Sequence, residues 1–214
     1  WKGLEGKKVV LISVTTVGGM DITEQYFERM KTDDSLLYLP LSNECGKSTV
    51  EIAQMSGLQA ECCTISTACS SALNSIMLGC EMLRRGEADV VIAGGSEAMS
   101  KFHLNGFNTL MILDRERCRP FDDTRAGLNL GEGAAFVVLR RDSDIGAAEG
   151  RNSVAEGING VAEALSGGNV LAYIGGYGNR CDAFHQTATS ENGEGAFLAM
   201  TDALNMAGLQ ASDI

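Results

Sequence analysis

Five short runs of aliphatic and β-branched residues divide this chain, at 8–14, 61–67, 89–93, 134–139 and 170–174. They are too short for buried helices and lack the strict alternation of a one-sided sheet. They therefore read as strands, most of them buried on both faces. Helical patterns lie between them. Asp21 with Glu24 three residues on has capping-box spacing, and Ile22, Tyr26, Phe27 and Met30 form an apolar stripe. Ser48 and Glu51 repeat that box, and Gly57 can close the segment. Leu73, Ile76, Met77, Cys80 and Leu83 share one face of a helix over about 70–85, with Arg84 and Arg85 in its last turn. Phe197, Met200, Leu204 and Ala207 share a face over 193–207, closed by Gly208. Residues 96–133 read as mostly irregular, and 140–169, dominated by Gly, Ala, Ser, Asn and Glu, as a linker with one weak helix near 154–165. Strands alternating with helices predict an α/β layered fold with largely parallel strands.

Composition removes several functions. With 28 acidic against 17 basic residues the net charge is −11, which argues against nucleic acid, whose phosphates need clustered Lys and Arg. No apolar run reaches the roughly 18 residues of a membrane span. No basic stretch followed by an apolar segment precedes the first strand, so no secretion signal is expected. The seven cysteines are odd in number and form no CxxC pair, and His103 and His185 are not spaced to complete a zinc site. No metal is expected. Six of the thiols read as small buried hydrophobes in a reducing cytoplasm.

Cys69 stands apart. It lies in Thr67-Ala68-Cys69-Ser70-Ser71-Ala72, at the junction of a strand and a helix. Unpaired N–H groups and the positive end of the dipole favour a thiolate at such a place, and small neighbours admit a substrate. The same strand–turn–helix arrangement exposes the serine of α/β hydrolases. From physics alone, a structural cysteine at a helix start is an equal alternative.

The sequence from Thr67 to Ser71, followed by Ile92-Ala93-Gly94-Gly95-Ser96-Glu97, resembles the active-site region of the β-ketoacyl-[acyl carrier protein] synthases, in particular the elongating synthase II type. Arg119-Pro120-Phe121-Asp122 with Gly131-Glu132-Gly133-Ala134 resembles that family's RPFD…GEGA stretch. Gly176-Tyr177-Gly178 with Asp182-Ala183-Phe184-His185 resembles its GYG…DAYH stretch, and Gly193-Glu194-Gly195-Ala196 continues the match. The motifs occur in order and span nearly the whole chain except 140–169.

The resemblance implies a thiolase-like α-β-α-β-α fold. Residues 1–139 would form the N-terminal half without its opening strand and helix, 140–169 a connection or insertion, and 170–214 the start of the C-terminal half. It implies that Cys69 takes an acyl group from acyl carrier protein and that its N–H is an oxyanion donor. Malonyl-carrier protein then loses CO₂, and the carbanion attacks the thioester. Phe107 matches an aromatic at the acyl pocket and Val17 a residue near the pocket's far end; ordinary packing is the alternative for both. The implied partners are acyl carrier protein and a second copy of the chain. No cofactor is implied beyond the phosphopantetheine on which the substrates ride.

Departures accompany the match. The family's two catalytic histidines, one in a His-Gly-Thr-Gly-Thr stretch, and a downstream lysine have no counterpart here, so the chain reads as an internal portion of a synthase. On that reading these 214 residues alone release no CO₂ from malonyl-carrier protein. His185 and His103 read as structural imidazoles. Arg125-Ala126-Gly127 lacks the acidic residue usual between Arg and Gly, and Met111 stands where a basic docking residue is usual. Arg115, Arg117 and Arg119, or Arg84 and Arg85, are the candidates for meeting an acidic carrier protein. A non-catalytic partner subunit and a coenzyme A-dependent acyltransferase of the same fold remain alternatives.

Overall fold

The structure is a computed structural model that describes residues 1, 3–144, 170–185 and 188–214. The chain divides into two units, Trp1–Gly146 and Ala147–Ile214. The weak helix expected near 154–165 lies outside the described residues.

The first unit is built on a four-stranded sheet of order β2-β1-β3-β4. Strands β1 (Val9–Val14), β2 (Glu61–Ile65) and β3 (Val90–Glu97) are parallel, with Val14 opposite Ile65 and Gly95. β4 (Gly133–Leu139) runs antiparallel to β3. The expectation of largely parallel strands holds for three. The expectation that 134–139 is buried does not, because β4 is an edge strand and only Leu139 within it is buried. β3 continues past its expected end at Ala93 through Gly94-Gly95 to Glu97. A Cβ at Gly94 would lie 2.6 Å from Phe136 Cα, so only glycine lets β3 and β4 pair there.

Helices cover both faces. α1 is Met20–Met30, α2 Cys45–Ser56, α3 Ser71–Arg84 and α4 Lys101–Thr109. Val10, Ile12, Val91, Ala93, Leu83 and Leu139 form a core against α3, joined by half-buried Cys63, Ile65, Ile76 and Cys80. Thr64, the residue between Cys63 and Ile65, instead shares a 2.6 Å hydrogen bond with Thr49 of α2. Successive residues of a strand face opposite ways, so α2 and α3 sandwich the sheet. At the sheet edge where β1 and β3 begin, Arg141 Nη1 donates to Ala88 O at 2.8 Å and Nη2 to Asp89 Oδ1 at 3.0 Å. Asp89 in turn accepts from Lys8 N–H at 2.9 Å. This staple closes the edge opposite the candidate site.

Several local expectations change. The buried positions of α3 are Ser71, Ser75, Gly79 and Leu83; of the expected stripe Leu83 is buried and Ile76 and Cys80 pack against the core, but Leu73 is 68% exposed. Small residues lie against the sheet because the backbone approaches it closely. A Cβ at Gly79 would stand 2.8 Å from Leu139 Cδ1 and 2.9 Å from Val91 Cγ1. α2 begins three residues before Ser48, and its N-cap, Glu44, makes no side-chain bond. Ser48 Oγ donates to Cys45 O at 2.8 Å and Thr49 turns inward to Thr64, so the expected capping box does not form. Gly57 does close α2, in the left-handed conformation at φ 65°. Residues 96–133, read as mostly irregular, contain α4.

In the second unit, α5 (Glu194–Ala207) runs between Gly193 and Gly208 as the sequence predicts. Its expected face is covered only in part: Leu204 and Ala207 are half-buried, but Phe197 is 62% and Met200 60% exposed. The segment from Gly175 to Asp182 lies on the side bearing Gly195, Ala199, Ala203 and Ala207. A Cβ at Gly176 would stand 3.0 Å from Ala207 N. Residues 170–174 form no strand, since among the described residues no ladder partner lies beside them. Arg180 Nε pairs with Asp202 Oδ2 at 2.5 Å.

Candidate functional site

Because β1, β2 and β3 are parallel and in register, their carboxyl ends share one edge of the sheet. The connections that leave this edge carry the three residues singled out in the sequence. Val17 lies in the β1–α1 turn, Cys69 in the β2–α3 connection, and Phe107 on α4, which follows β3. Ligands of open α/β sheets gather at this edge.

The β2–α3 connection is a laced bend. Ala68 has φ 52°, a left-handed conformation uncommon outside glycine that costs roughly 1–2 kcal/mol. Ser71, 4% exposed, holds it in place. Its Oγ accepts from Thr67 N–H at 2.7 Å and donates to Ala68 O at 2.7 Å, while Ser71 N–H donates to Ala68 O at 3.1 Å. Ser70 Oγ donates to Thr67 O at 2.9 Å and Asn74 Nδ2 to Thr67 Oγ1 at 2.8 Å. The bend turns Cys69 outward, and its residue is exposed. Backbone strain held by surrounding contacts is common at functional sites.

The other thiols separate only in part as expected. Cys63 and Cys80 pack against the core, and burial pushes both thiols up. Cys62 and Cys181, expected to be buried, are exposed; Cys62 lies on the edge strand β2, which has a neighbour on one side only.

Val17 and Phe107 are both half-buried. The turn at Val17 is fixed by Glu97 at the end of β3, which accepts from Thr15 Oγ1 at 3.0 Å and from Thr16 N–H at 2.6 Å. Gly18 N–H donates to Thr15 Oγ1 at 3.1 Å. The helix bearing Phe107 is held by Glu24, which accepts from Lys101 N–H at 2.6 Å and Phe102 N–H at 2.7 Å. The sequence pairs Glu24 with Asp21 in a capping box of its own helix. The structure instead starts α1 at Met20, with no side-chain cap, and uses Glu24 on α4. Glu97 and Glu24 are the site residues that sequence reasoning missed. The signal for Glu97 was its place at the end of a strand motif already singled out.

The histidines have local partners. His103 Nδ1 shares a 3.0 Å hydrogen bond with Ser100 Oγ, and His185 Nδ1 accepts from Ala188 N–H at 3.3 Å. Arg119 pairs with Glu116 at 3.3 Å and donates to Thr124 O at 2.8 Å; Arg84 and Arg85 both pair with Glu81. These three charges are partly neutralised within the chain, whereas Arg115 and Arg117 are exposed. Among the described residues, no three of His, Cys, Asp or Glu converge to hold a metal ion, and no helix is long and apolar enough to cross a membrane.

Comparison with known proteins gives the family. Residues 5–145 match the family of the β-ketoacyl synthase N-terminal domain. The chain is 34% identical over 154 residues to 3-oxoacyl-[acyl-carrier-protein] synthase 2 of Staphylococcus aureus, a match covering 69% of the chain and 34% of that protein. The same enzyme of Rhizobium meliloti (strain 1021) is 35% identical over 159 residues, covering 71% and 34%. Among solved structures, the ishigamide ketosynthase/chain length factor superposes with a TM-score of 0.75 at 26% identity, covering 97% of the chain and 48% of the other. A β-ketoacyl synthase from Burkholderia phymatum STM815 gives a TM-score of 0.73 at 22% identity, covering 100% and 50%. The matched stretch thus spans about a third of the curated relatives, and the chain about half of the solved structures. The fold is the thiolase-like one of these ketosynthases, as the resemblance implies.

Proposed function

Because this chain belongs to the β-ketoacyl synthase family, we propose that it carries the nucleophile of a 3-oxoacyl-[acyl carrier protein] synthase. The observation behind this reading is Cys69: an exposed thiol on a left-handed bend laced by Ser71, between a parallel strand and a helix. The Cys69 sulfur attacks the carbonyl of an acyl thioester on carrier protein. The carrier's phosphopantetheine thiolate leaves, and the acyl group stays on Cys69. The N–H of Cys69, two residues ahead of α3, stabilises the oxyanion of the tetrahedral intermediate. Loss of CO₂ from malonyl-carrier protein leaves a carbanion that attacks the acyl-Cys69 carbonyl. The Cys69 thiolate is expelled and a 3-oxoacyl-carrier protein forms. Phe107 and Val17 line the acyl site. Proton handling and activation of the malonyl thioester are assigned to neither His103 nor His185.

The partners are acyl carrier protein and a second subunit. A ketosynthase in complex with its chain length factor from Xenorhabdus doucetiae is among the similar structures. It supports a subunit of this kind, either a second copy or such a factor. It also favours a second reading, in which this chain is itself the non-catalytic member. The test combines the full-length synthase that contains these residues, rather than the 214 residues alone, with acyl-carrier protein and malonyl-carrier protein. Wild type is expected to yield a 3-oxoacyl product one malonyl-derived unit longer, and Cys69→Ala none. Equal product from both proteins contradicts the proposal. No product from either, with both donors intact, favours the non-catalytic reading, and product from acyl-coenzyme A alone favours an acyltransferase of the other class.

A further inference from the structure

Residues 98–132 leave the sheet and return to it at one place. Glu97, the last residue of β3, pairs with Gly133, the first of β4, and Met99 N–H donates to Glu132 Oε2 at 3.0 Å across the base. That place is the carboxyl edge of β1, β2 and β3, from which the connection carrying Cys69 also departs. Within the excursion, residues 114–118 form an arc tied down by hydrogen bonds. Asp114 N–H donates to Leu128 O at 2.9 Å. Asn129 Oδ1 accepts from Cys118 N–H at 2.7 Å, and its Nδ2 donates to Glu116 O at 2.9 Å and to Asp114 O at 3.2 Å. One side chain thus holds the start, the middle and the end of the arc.

The charges of the arc fall into two sets. Arg119 pairs with Asp114 at 3.5 Å and with Glu116 at 3.3 Å, and donates to Thr124 O at 2.8 Å. It neutralises the two carboxylates and pins the arc. Arg115 and Arg117 are exposed and, among the described residues, stand in no ion pair. The chain as a whole carries a net charge of −11, which repels an acidic protein, so any attraction has to be local. At physiological salt the screening length is about 8 Å, short enough for two neighbouring cations to act by themselves. The other basic pair does not serve. Arg84 and Arg85 both pair with Glu81, at the end of α3 where Arg141 Nη1 donates to Leu83 O at 3.2 Å, the edge opposite Cys69.

We propose that the arc bearing Arg115 and Arg117 docks the acidic surface of the carrier protein that delivers the acyl group to Cys69. This rests on the reading that Cys69 is acylated from carrier protein. Neither arginine touches the reacting atoms; both act on the encounter with the donor. Because Asn129 already orders the arc, little ordering is left for binding to impose.

The test uses the full-length synthase and measures kcat and KM of Cys69 acylation with two donors. One is octanoyl-carrier protein; the other is octanoyl-phosphopantetheine, which has the arm and its phosphate but no protein. An exposed ion pair contributes up to about fivefold in an equilibrium constant. Arg115→Glu with Arg117→Glu should therefore raise KM for octanoyl-carrier protein about tenfold, leave kcat unchanged and flatten the rise of KM with added salt. KM for octanoyl-phosphopantetheine should not move. Arg84→Glu with Arg85→Glu changes the net charge equally and should leave both donors unaffected. An equal rise in KM from that control pair overturns the inference, because net charge would then explain the effect. A rise with octanoyl-phosphopantetheine overturns it too, by assigning the arginines to the phosphate, as does a fall in kcat at unchanged KM. If the glutamate pair does not fold, Arg115→Ala with Arg117→Ala is judged by the same comparison, with an expected rise of about fourfold. Wild type that neither donor acylates refutes the acyl-enzyme reading and the inference with it. Wild type that is acylated, beside a variant with unchanged KM, refutes the role of the arc alone.

Discussion

Replacing Ser71 by alanine tests whether the bend is what presents Cys69. The Ser71 hydroxyl makes two hydrogen bonds of 2.7 Å, accepting from Thr67 N–H and donating to Ala68 O, in a residue 4% exposed. Ala68 O keeps the 3.1 Å bond from Ser71 N–H, so the carbonyl stays satisfied and the Thr67 N–H takes the loss. One net hydrogen bond is worth about 1 kcal/mol, and a partly buried donor left unsatisfied costs about 1–3 kcal/mol. Ala68 meanwhile sits in a conformation costing roughly 1–2 kcal/mol, held in part by these same bonds. Ser71→Ala is therefore expected to destabilise the protein by roughly 2 kcal/mol and to let the bend relax. Urea unfolding gives the stability. The rate of Cys69 alkylation by iodoacetamide, followed by peptide mass mapping, gives the presentation of the thiol. Adding Ala68→Gly, which removes the steric cost of the left-handed residue, should restore part of the lost stability. A Ser71→Ala protein within about 0.5 kcal/mol of wild type, with unchanged Cys69 alkylation, would refute the argument that Ser71 holds the site.

Further outcomes follow from the same coordinates. Gly94→Ala places a Cβ against the Phe136 backbone rather than a yielding side chain, so it should cost roughly 3 kcal/mol, the upper end for overpacking, in a denaturant titration. Bonds from Lys8 N–H first and Arg141 second hold the Asp89 carboxyl below the usual aspartate range. A depressed carboxylate contributes stability above its unfolded pKa and loses it as pH falls through the folded one. The urea midpoint of wild type should thus exceed that of Asp89→Asn at pH 7, and the gap should close below about pH 3.9. Gly176→Ala should lift the Gly175–Asp182 segment from α5 and open it to limited proteolysis, leaving the first unit resistant.

The sequence was most informative where chemistry and secondary structure coincide. The run into Thr67-Ala68-Cys69-Ser70-Ser71 announces a strand, a tight bend and a helix, and these are found. The strand interiors around Val10, Ile12 and Val91 were legible because their apolar character is continuous. The face of α3 was legible only in part. Periodicity favours the larger residue Leu73, whereas close helix–sheet approach favours Ser75 and Gly79, which carry little hydrophobic signal. α4 was hidden because its apolar residues are few and Gly106 lies within it, although Ser100 caps it locally. Glu24 shows the limit directly: its spacing from Asp21 satisfies a local rule, but a distant helix end offers two donors instead of one. Residues 170–174 have strand composition, yet among the described residues no neighbour pairs with them.

The central claim is that Cys69, among seven cysteines, is the acylated nucleophile. Incubation with octanoyl-carrier protein followed by proteolysis and tandem mass spectrometry tests it directly. The account predicts one octanoyl thioester, on the peptide carrying Cys69, absent after Cys69→Ala and removed by hydroxylamine. An unmodified Cys69 with the donor intact, or an adduct of equal yield on Cys62 or Cys181, would contradict it.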